Sequence, residues 1–436
     1  MRSGGSSAPP DFKPWWWEAA PPAAPRDVPL PPGADVAVIG SGYTGLSAAL
    51  TLARAGRHVV VLEANAAGYG GSSRNGGQVG SGNQKIPVAE LVGRFGEKRA
   101  RALLEEGLAM LRHTSELIQR ESIACDFARV GRFRGAISPA HYDAMARDLD
   151  SLHRMVGVAF FMVPRSEQHA EIGTDAYHGG SVLPDDAALQ PARFHRGLLE
   201  RAVAAGVELV PHTSVTSIER ARSGTVVHTR RGRLAARNAI IATNGYAGRE
   251  CPPLARRIMP IGSAILATQE LAPELASRLI PKGRIVGNTA RVLHYYRLSP
   301  DGRRMLFGGR MASEHATSDV RDFAPLHREM IGLFPELSCV AITHCWSGYV
   351  GYTRDVFPHL GVRDGIHFAM GYCGTGVARA VYFGHKIALK LLDRPDGRTA
   401  FDDLPFHAFP FHALAKRLVP LAVSGHRARD WLDRRG

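Results

Sequence analysis

The residues Gly40-Ser41-Gly42-Tyr43-Thr44-Gly45 follow an apolar run, DVAVIG at 35–40, and open a stretch, Thr44–Ala55, whose small and apolar residues recur at helical spacing. Gly56 stops that helix, and a second apolar run, His58–Glu63, ends in a carboxylate 18 positions beyond Gly45. Strand, Gly-rich turn, helix and strand in this order open a parallel α/β sheet built to hold a dinucleotide. Gly40 permits the tight turn, Gly42 lets the backbone approach a pyrophosphate, and Gly45 lets helix and strand pack closely. The helix start at Tyr43 and Thr44 offers free N–H groups and the positive end of the helix dipole. Glu63, followed by Ala64, can accept two hydrogen bonds from a ribose diol.

The next loop separates the dinucleotides. Gly70-Gly71-Ser72-Ser73-Arg74-Asn75-Gly76-Gly77-Gln78 packs glycines, hydroxyls, one cation and two amides soon after Glu63. It offers several donors to phosphate and ribityl oxygens. A nicotinamide dehydrogenase has no need of such a second cradle; a flavin dinucleotide lying extended along the domain does.

With 436 residues the chain exceeds one ordinary compact core. Helical spacing covers Val88–Arg120, as two helices broken near Gly96, then Pro139–Met155, Pro191–Ala205 and Ala324–Leu333. Short β-like runs fill 207–242 and 259–311, with Asp301-Gly302 as a hairpin turn, while Gly180–Asp186 carries turn chemistry. The fold class expected is α/β, α+β overall: a Rossmann-like dinucleotide domain interleaved with a mainly antiparallel-sheet substrate domain. The first is expected from 34–85, 180–255 and 345–395, the second from 86–179 and 256–344. Residues 1–33, with Pro, Ala and the cluster Trp15-Trp16-Trp17, form an arm that either docks by its rings or remains a partly ordered tail, and 396–436 is a C-terminal extension.

Composition narrows the class. Apolar residues at 45% and charged residues at 22% suit a folded globular chain, and no apolar run is long enough for a membrane span. No signal-peptide pattern opens the sequence, so a cytoplasmic location is expected. The five cysteines include no CxxC pair, and no grouped histidine ligands occur, so no metal site is expected. The charge of +14 is basic, yet Lys and Arg are scattered with only short runs, which favours a solvated surface over nucleic acid.

At four stations the chain resembles the flavin-dependent amine and amino-acid oxidoreductases that include D-amino-acid oxidase, glycine oxidase and sarcosine oxidase. These are VIGSGYTGLSAALTLARAGRHVVVLE, GGSSRNGGQ, AIIATNGY at 239–246 and GYCGTGVARAVYFGHKIALKLL at 371–392. With the Trp-rich N-terminus and HYYRLSPDGRRMLFGGR they look closest to the γ-glutamylputrescine oxidoreductase subgroup. The resemblance implies FAD, with Gly40, Gly42 and Gly45 at the pyrophosphate and Glu63 at the adenosine ribose. Ser72, Ser73, Arg74 and Asn75 would line the flavin side, and Val215 would meet the adenine. Thr243, Asn244 and Gly245 match a loop near pyrophosphate and ribose. Gly371, Gly374, Thr375, Gly376 and Val377 match a closing loop whose helix N-terminus points at the flavin pyrimidine. Some relatives attach FAD covalently through a Cys or a His. Here the early loop has no His, and Trp346 rather than Cys345 takes the corresponding place, so non-covalent FAD is expected.

The family chemistry is removal of a hydride from a carbon bearing an amine, so the protein supplies orientation and electrostatics. The partners expected are a small-molecule amine and either oxygen or a quinone as electron acceptor. The substrate-orienting candidates are Trp346, Tyr349, Tyr296 and Arg310. Tyr295, Tyr296 and Arg297 share a strand, so at most two face one pocket, and sheet packing is the alternative for the tyrosines. Arg310 either clamps a carboxylate or is one more surface cation. Two other classes remain open: a tRNA-modifying flavoprotein, and an FAD-stabilised subunit of a multi-protein dehydrogenase.

Overall fold

Strand Gly33–Ile39, helix Tyr43–Arg54 and strand Val59–Leu62 form the expected opening unit, with the strands parallel and Val36 opposite Val59. The coordinates are a computed structural model, which describes residues 9–24, 27–81, 86–222, 224–311 and 319–434. Val36–Ile39 of the first strand and all of the second are apolar and buried, as befits strands covered on both faces. They lie inside an eight-stranded sheet in which Gly232–Ile241 pairs parallel to the first strand and Glu208–Val210 parallel to the second. Ile366–Met370 extends it in parallel, so three separate stretches of chain converge on one sheet. Helix Gly376–Leu391 packs on the opening helix; the Ser47 hydroxyl donates to the Val381 carbonyl at 2.7 Å.

A second eight-stranded sheet stands across from it, largely antiparallel, with Met259–Thr268 at 10 residues and Ile342–Tyr352 at 11 as its longest strands. One face carries the helix Val320–Leu333 over a core of Phe133, Tyr296, Phe307 and Phe323. Gly180–Leu183, expected as turn, is a buried strand of this sheet and the turn follows it. Gly180 hides its strand character from a propensity reading, yet the position needs glycine because a Cβ there would stand 2.5 Å from the Phe133 ring. The chain therefore crosses between sheets a few residues away from 180 and 345.

The Trp cluster is docked. Trp16 is fully buried in the short helix Trp16–Ala19, and Asp11 forms a parallel bridge to His344 at the edge of the second sheet. A further helix, His412–Asp433, was not anticipated; its Asp430 carboxylate accepts the Arg291 and Val292 N–H groups at 2.9 Å. Among the described residues no helix is long and apolar enough to cross a membrane.

Candidate active site

A cavity of about 720 Å³ runs between the two sheets, within the size range of cofactor and ligand sites. Its first wall is the Gly-rich turn. Gly40 has φ +100°, and a Cβ on Gly45 would fall 1.9 Å from the Gly40 carbonyl oxygen, so the turn closes onto the helix only with glycine there. Glu63 accepts from the Ser41 N–H and hydroxyl at 3.0 and 2.7 Å through one oxygen and from the Asn65 N–H through the other. His195 touches the Ser41 carbonyl at 2.7 Å, and burial lowers its pKa.

Gly40, Gly42, Tyr43, Thr44, Glu63, Ala64, Val215, Thr243 and Asn244 all border the cavity. So do Ser72, Arg74, Asn75, Gly76 and Gln78 from the second loop, and Gly374, Thr375, Gly376 and Val377 at the start of the closing helix. The loops interlock: the Tyr43 N–H donates to the Ser72 hydroxyl at 2.9 Å, and the Thr44 and Tyr372 hydroxyls lie 2.6 Å apart.

Gly45, Ser73, Gly77, Gly245 and Gly371 stand behind this surface. Ser73 Oγ bonds the Gly68 carbonyl and accepts the Trp17 indole N–H, while the Gly371 N–H donates to Asn244 Oδ1 at 2.9 Å. Gly245 packs against Tyr349 and Gly351, and Gly77 against the Leu189 carbonyl.

The Trp arm props the second loop from behind. Trp16 donates to the Asn75 carbonyl at 2.9 Å, and the Arg74 guanidinium lies 5.1 Å from the Trp17 ring and 4.6 Å from Tyr69. The cluster was visible in the sequence, but its partner was not.

The second sheet forms the other wall. Trp346 borders the cavity and donates to the Arg74 carbonyl at 2.8 Å, and Arg74 returns a bond to the Ser347 carbonyl at 2.8 Å. Tyr349 also lines it, its ring 5.4 Å from that of Tyr246. Arg310 donates to the Tyr352 hydroxyl at 3.0 Å and borders both this cavity and a smaller one of about 340 Å³ beside Phe409.

Tyr296 is a correction: it is fully buried in the core behind the sheet, its hydroxyl 2.9 Å from that of Tyr177. Alternation along the strand turns Tyr295 to the cavity instead, with its hydroxyl 2.8 Å from that of Ser263 and its pKa pushed up to about 12 by burial. The same alternation sends Cys345 into the core, where burial raises its thiol to about 12. Arg132 and Arg134 on strand Arg132–Gly135, and Tyr246 after Gly245, line the cavity without having been singled out. No local motif marks them.

The observations fit a flavin dinucleotide: a main-chain cradle whose closest approach excludes a Cβ, a second donor loop, and the N-terminus of the Gly376–Leu391 helix on the same side of the cavity. The family model of FAD dependent oxidoreductases, DAO, matches residues 35–389. A probable oxidoreductase OrdL of Rhizobium meliloti is 34% identical over 92% of this chain and 94% of its own. The γ-glutamylputrescine oxidoreductase of Escherichia coli is 33% identical over 92% of this chain and 93% of its own. In fold, glycine oxidase from Geobacillus kaustophilus superposes with TM-score 0.71 at 22% identity, covering 87% of this chain and 99% of that one.

Proposed function

The chain belongs to the DAO family of FAD-dependent oxidoreductases, and on that premise we propose that it oxidises the C–N bond of γ-glutamylputrescine or a related polyamine derivative. The observation that carries this reading is the composition of the cavity walls. One is main chain with Glu63; the other is a sheet bearing Trp346, Tyr349, Tyr295 and Arg310. Identity to the Escherichia coli enzyme over most of both chains supports the polyamine derivative.

In this reading Gly40, Gly42, Tyr43, Thr44 and Gly45 hold the FAD pyrophosphate, Glu63 and Ala64 the ribose, and Val215 the adenine. Thr243, Asn244 and Gly245 close over pyrophosphate and ribose. Ser72, Ser73, Arg74, Asn75, Gly76, Gly77 and Gln78 build the flavin side, and Gly371, Gly374, Thr375, Gly376 and Val377 bring a helix N-terminus to the pyrimidine end, where reduced flavin is negative. Bound FAD supplies the N5 atom that accepts a hydride from the amine-bearing carbon. With Cys345 turned into the core, the attachment is non-covalent.

The residues of the second wall orient the amine and keep it neutral. Among the described residues lining the cavity, the only carboxylates are Glu63 and Glu250, both on the first-sheet side. An ammonium at the second wall would face Arg310 and neutral tyrosines, so the free amine is the form held there. Reoxidation is by oxygen or a quinone.

Anaerobic addition of γ-glutamylputrescine should bleach the flavin absorbance of the purified yellow protein. Bleaching by glycine or sarcosine alone would reject the substrate while leaving the family intact. Acid precipitation should release all the FAD.

A further inference from the structure

One row of the second sheet crosses the cavity. Arg134 is paired with Gly287, Gly287 with Tyr295, Tyr295 with Gly308, Gly308 with Ile265, and Ile265 with Trp346. All four side chains of that row line the cavity. The glycines leave space between them; the Tyr295 ring lies so close over Gly308 that a Cβ there would be 2.3 Å from it.

Arg134 stands at the far end, two strands from Tyr295, or about 10 Å at the usual strand spacing. The other cations of the wall have partners, Arg310 the Tyr352 hydroxyl at 3.0 Å and the remaining two carboxylates. Arg132 binds Asp186 at 2.6 Å and the Gln78 amide oxygen at 2.8 Å, and Arg291 binds Asp430 at 3.3 Å and also Asp433. Beyond its place in the strand ladder, the Arg134 side chain makes no hydrogen bond and no ion pair among the described residues. The carboxylate acting on it through space, Asp148, accepts the Val88 N–H at 2.7 Å through one oxygen. Burial also lowers the Arg134 pKa, though a guanidinium stays charged. An enclosed guanidinium with its donors facing a cavity is costly until an anion meets it, and its fork matches a carboxylate.

We propose that Arg134 binds a carboxylate of the substrate at the end remote from the oxidised amine, and so selects amines by a distant acid group. This rests on the amine-oxidising reading above. Tyr295 marks the flavin side, since a Cβ on Gly76 of the proposed flavin loop would stand 2.9 Å from its ring. In extended γ-glutamylputrescine, the reacting carbon and the carboxylate are separated by roughly nine bonds, about 11 Å. That length matches the distance from Tyr295 to Arg134, whereas an α-amino acid carries its carboxylate on the reacting carbon itself.

The test compares wild-type holoenzyme with Arg134→Met in anaerobic flavin reduction by γ-glutamylputrescine and by N-acetylputrescine, which keeps the amine and amide and lacks the acid. The half-saturating concentration of the first should rise roughly 10- to 100-fold, and that of the second should stay within about twofold. Flavin content and spectrum should be unchanged. Calorimetric binding of glutarate to wild-type holoenzyme should be lost in the variant, a readout independent of turnover. If Arg134→Met does not fold, Arg134→Lys is expected to weaken the acid-bearing amine alone, because it keeps charge and gives up the fork.

Equal weakening of both amines, no weakening of either, or undiminished glutarate binding in the variant overturns the proposal. A wild-type protein bleached by neither amine would instead overturn the amine-oxidising reading.

Discussion

On the parallel-sheet side the cavity wall is mostly main chain: Gly40, Gly42, the start of the Tyr43–Arg54 helix and the Gly374–Gly376 turn. Across from it the antiparallel sheet presents large side chains in register, Arg134, Tyr295, Ile265 and Trp346. A main-chain wall offers the same N–H groups whatever its neighbours, so it suits a constant ligand. A side-chain wall changes chemistry with each substitution while the sheet behind it persists, so it suits a substrate that differs between relatives.

Breaking the main-chain wall should do the most damage. Gly45→Val puts atoms where even a Cβ is 1.9 Å from a carbonyl oxygen, so the purified protein should hold no flavin by absorbance, if it folds at all. Trp16→Ala removes a fully buried ring and the donor to the Asn75 carbonyl. About 3–5 kcal/mol should be lost in denaturant unfolding, with roughly fivefold weaker FAD retention.

Acid should separate the walls. His113 and His385 stack at 4.9 Å between helices Glu97–Arg120 and Gly376–Leu391, and burial lowers both to about 4. Unfolded histidines titrate near 6.5, so the unfolded chain binds more protons below that pH. Their contribution is complete above pH 6.5 and is lost as pH falls to 4, at most about 3 kcal/mol for each histidine. Flavin release should therefore precede any change in the fluorescence of Trp16 and Trp346 at the seam, and His113→Phe should shift it to lower pH.

The smallest effects distinguish adjacent tyrosines. Tyr296→Phe should cost about 1 kcal/mol of stability and leave substrate saturation unchanged, whereas Tyr295→Phe should alter saturation a few-fold with little change in stability. The reverse result would mean that the strand faces were assigned backwards.

That pair also marks where a sequence stops being legible. The opening unit could be read because strand, glycine turn, helix and terminal carboxylate are local, and the break at Gly96 fell between helices Val88–Phe95 and Glu97–Arg120 as expected. Which of Tyr295 and Tyr296 faces the cavity depends on partners far along the chain, and a shift of one residue reverses the answer. Arg134 lay beyond reach for the same reason: its significance comes from Gly287 and Tyr295 beside it. The helix His412–Asp433 buries only Val423 and Asp430 and contains Pro420, so no core-facing stripe announced it.

The Thr44 and Tyr372 hydroxyls meet across 328 positions of sequence. During synthesis the Gly-rich turn emerges early, and at ~5–20 residues per second its partner follows roughly 15–65 s later. Asp11, made earlier still, has no place to bridge until His344 exists. The cradle therefore leaves the ribosome long before the partner that closes it, and cofactor capture must come late in biogenesis rather than serve as its seed.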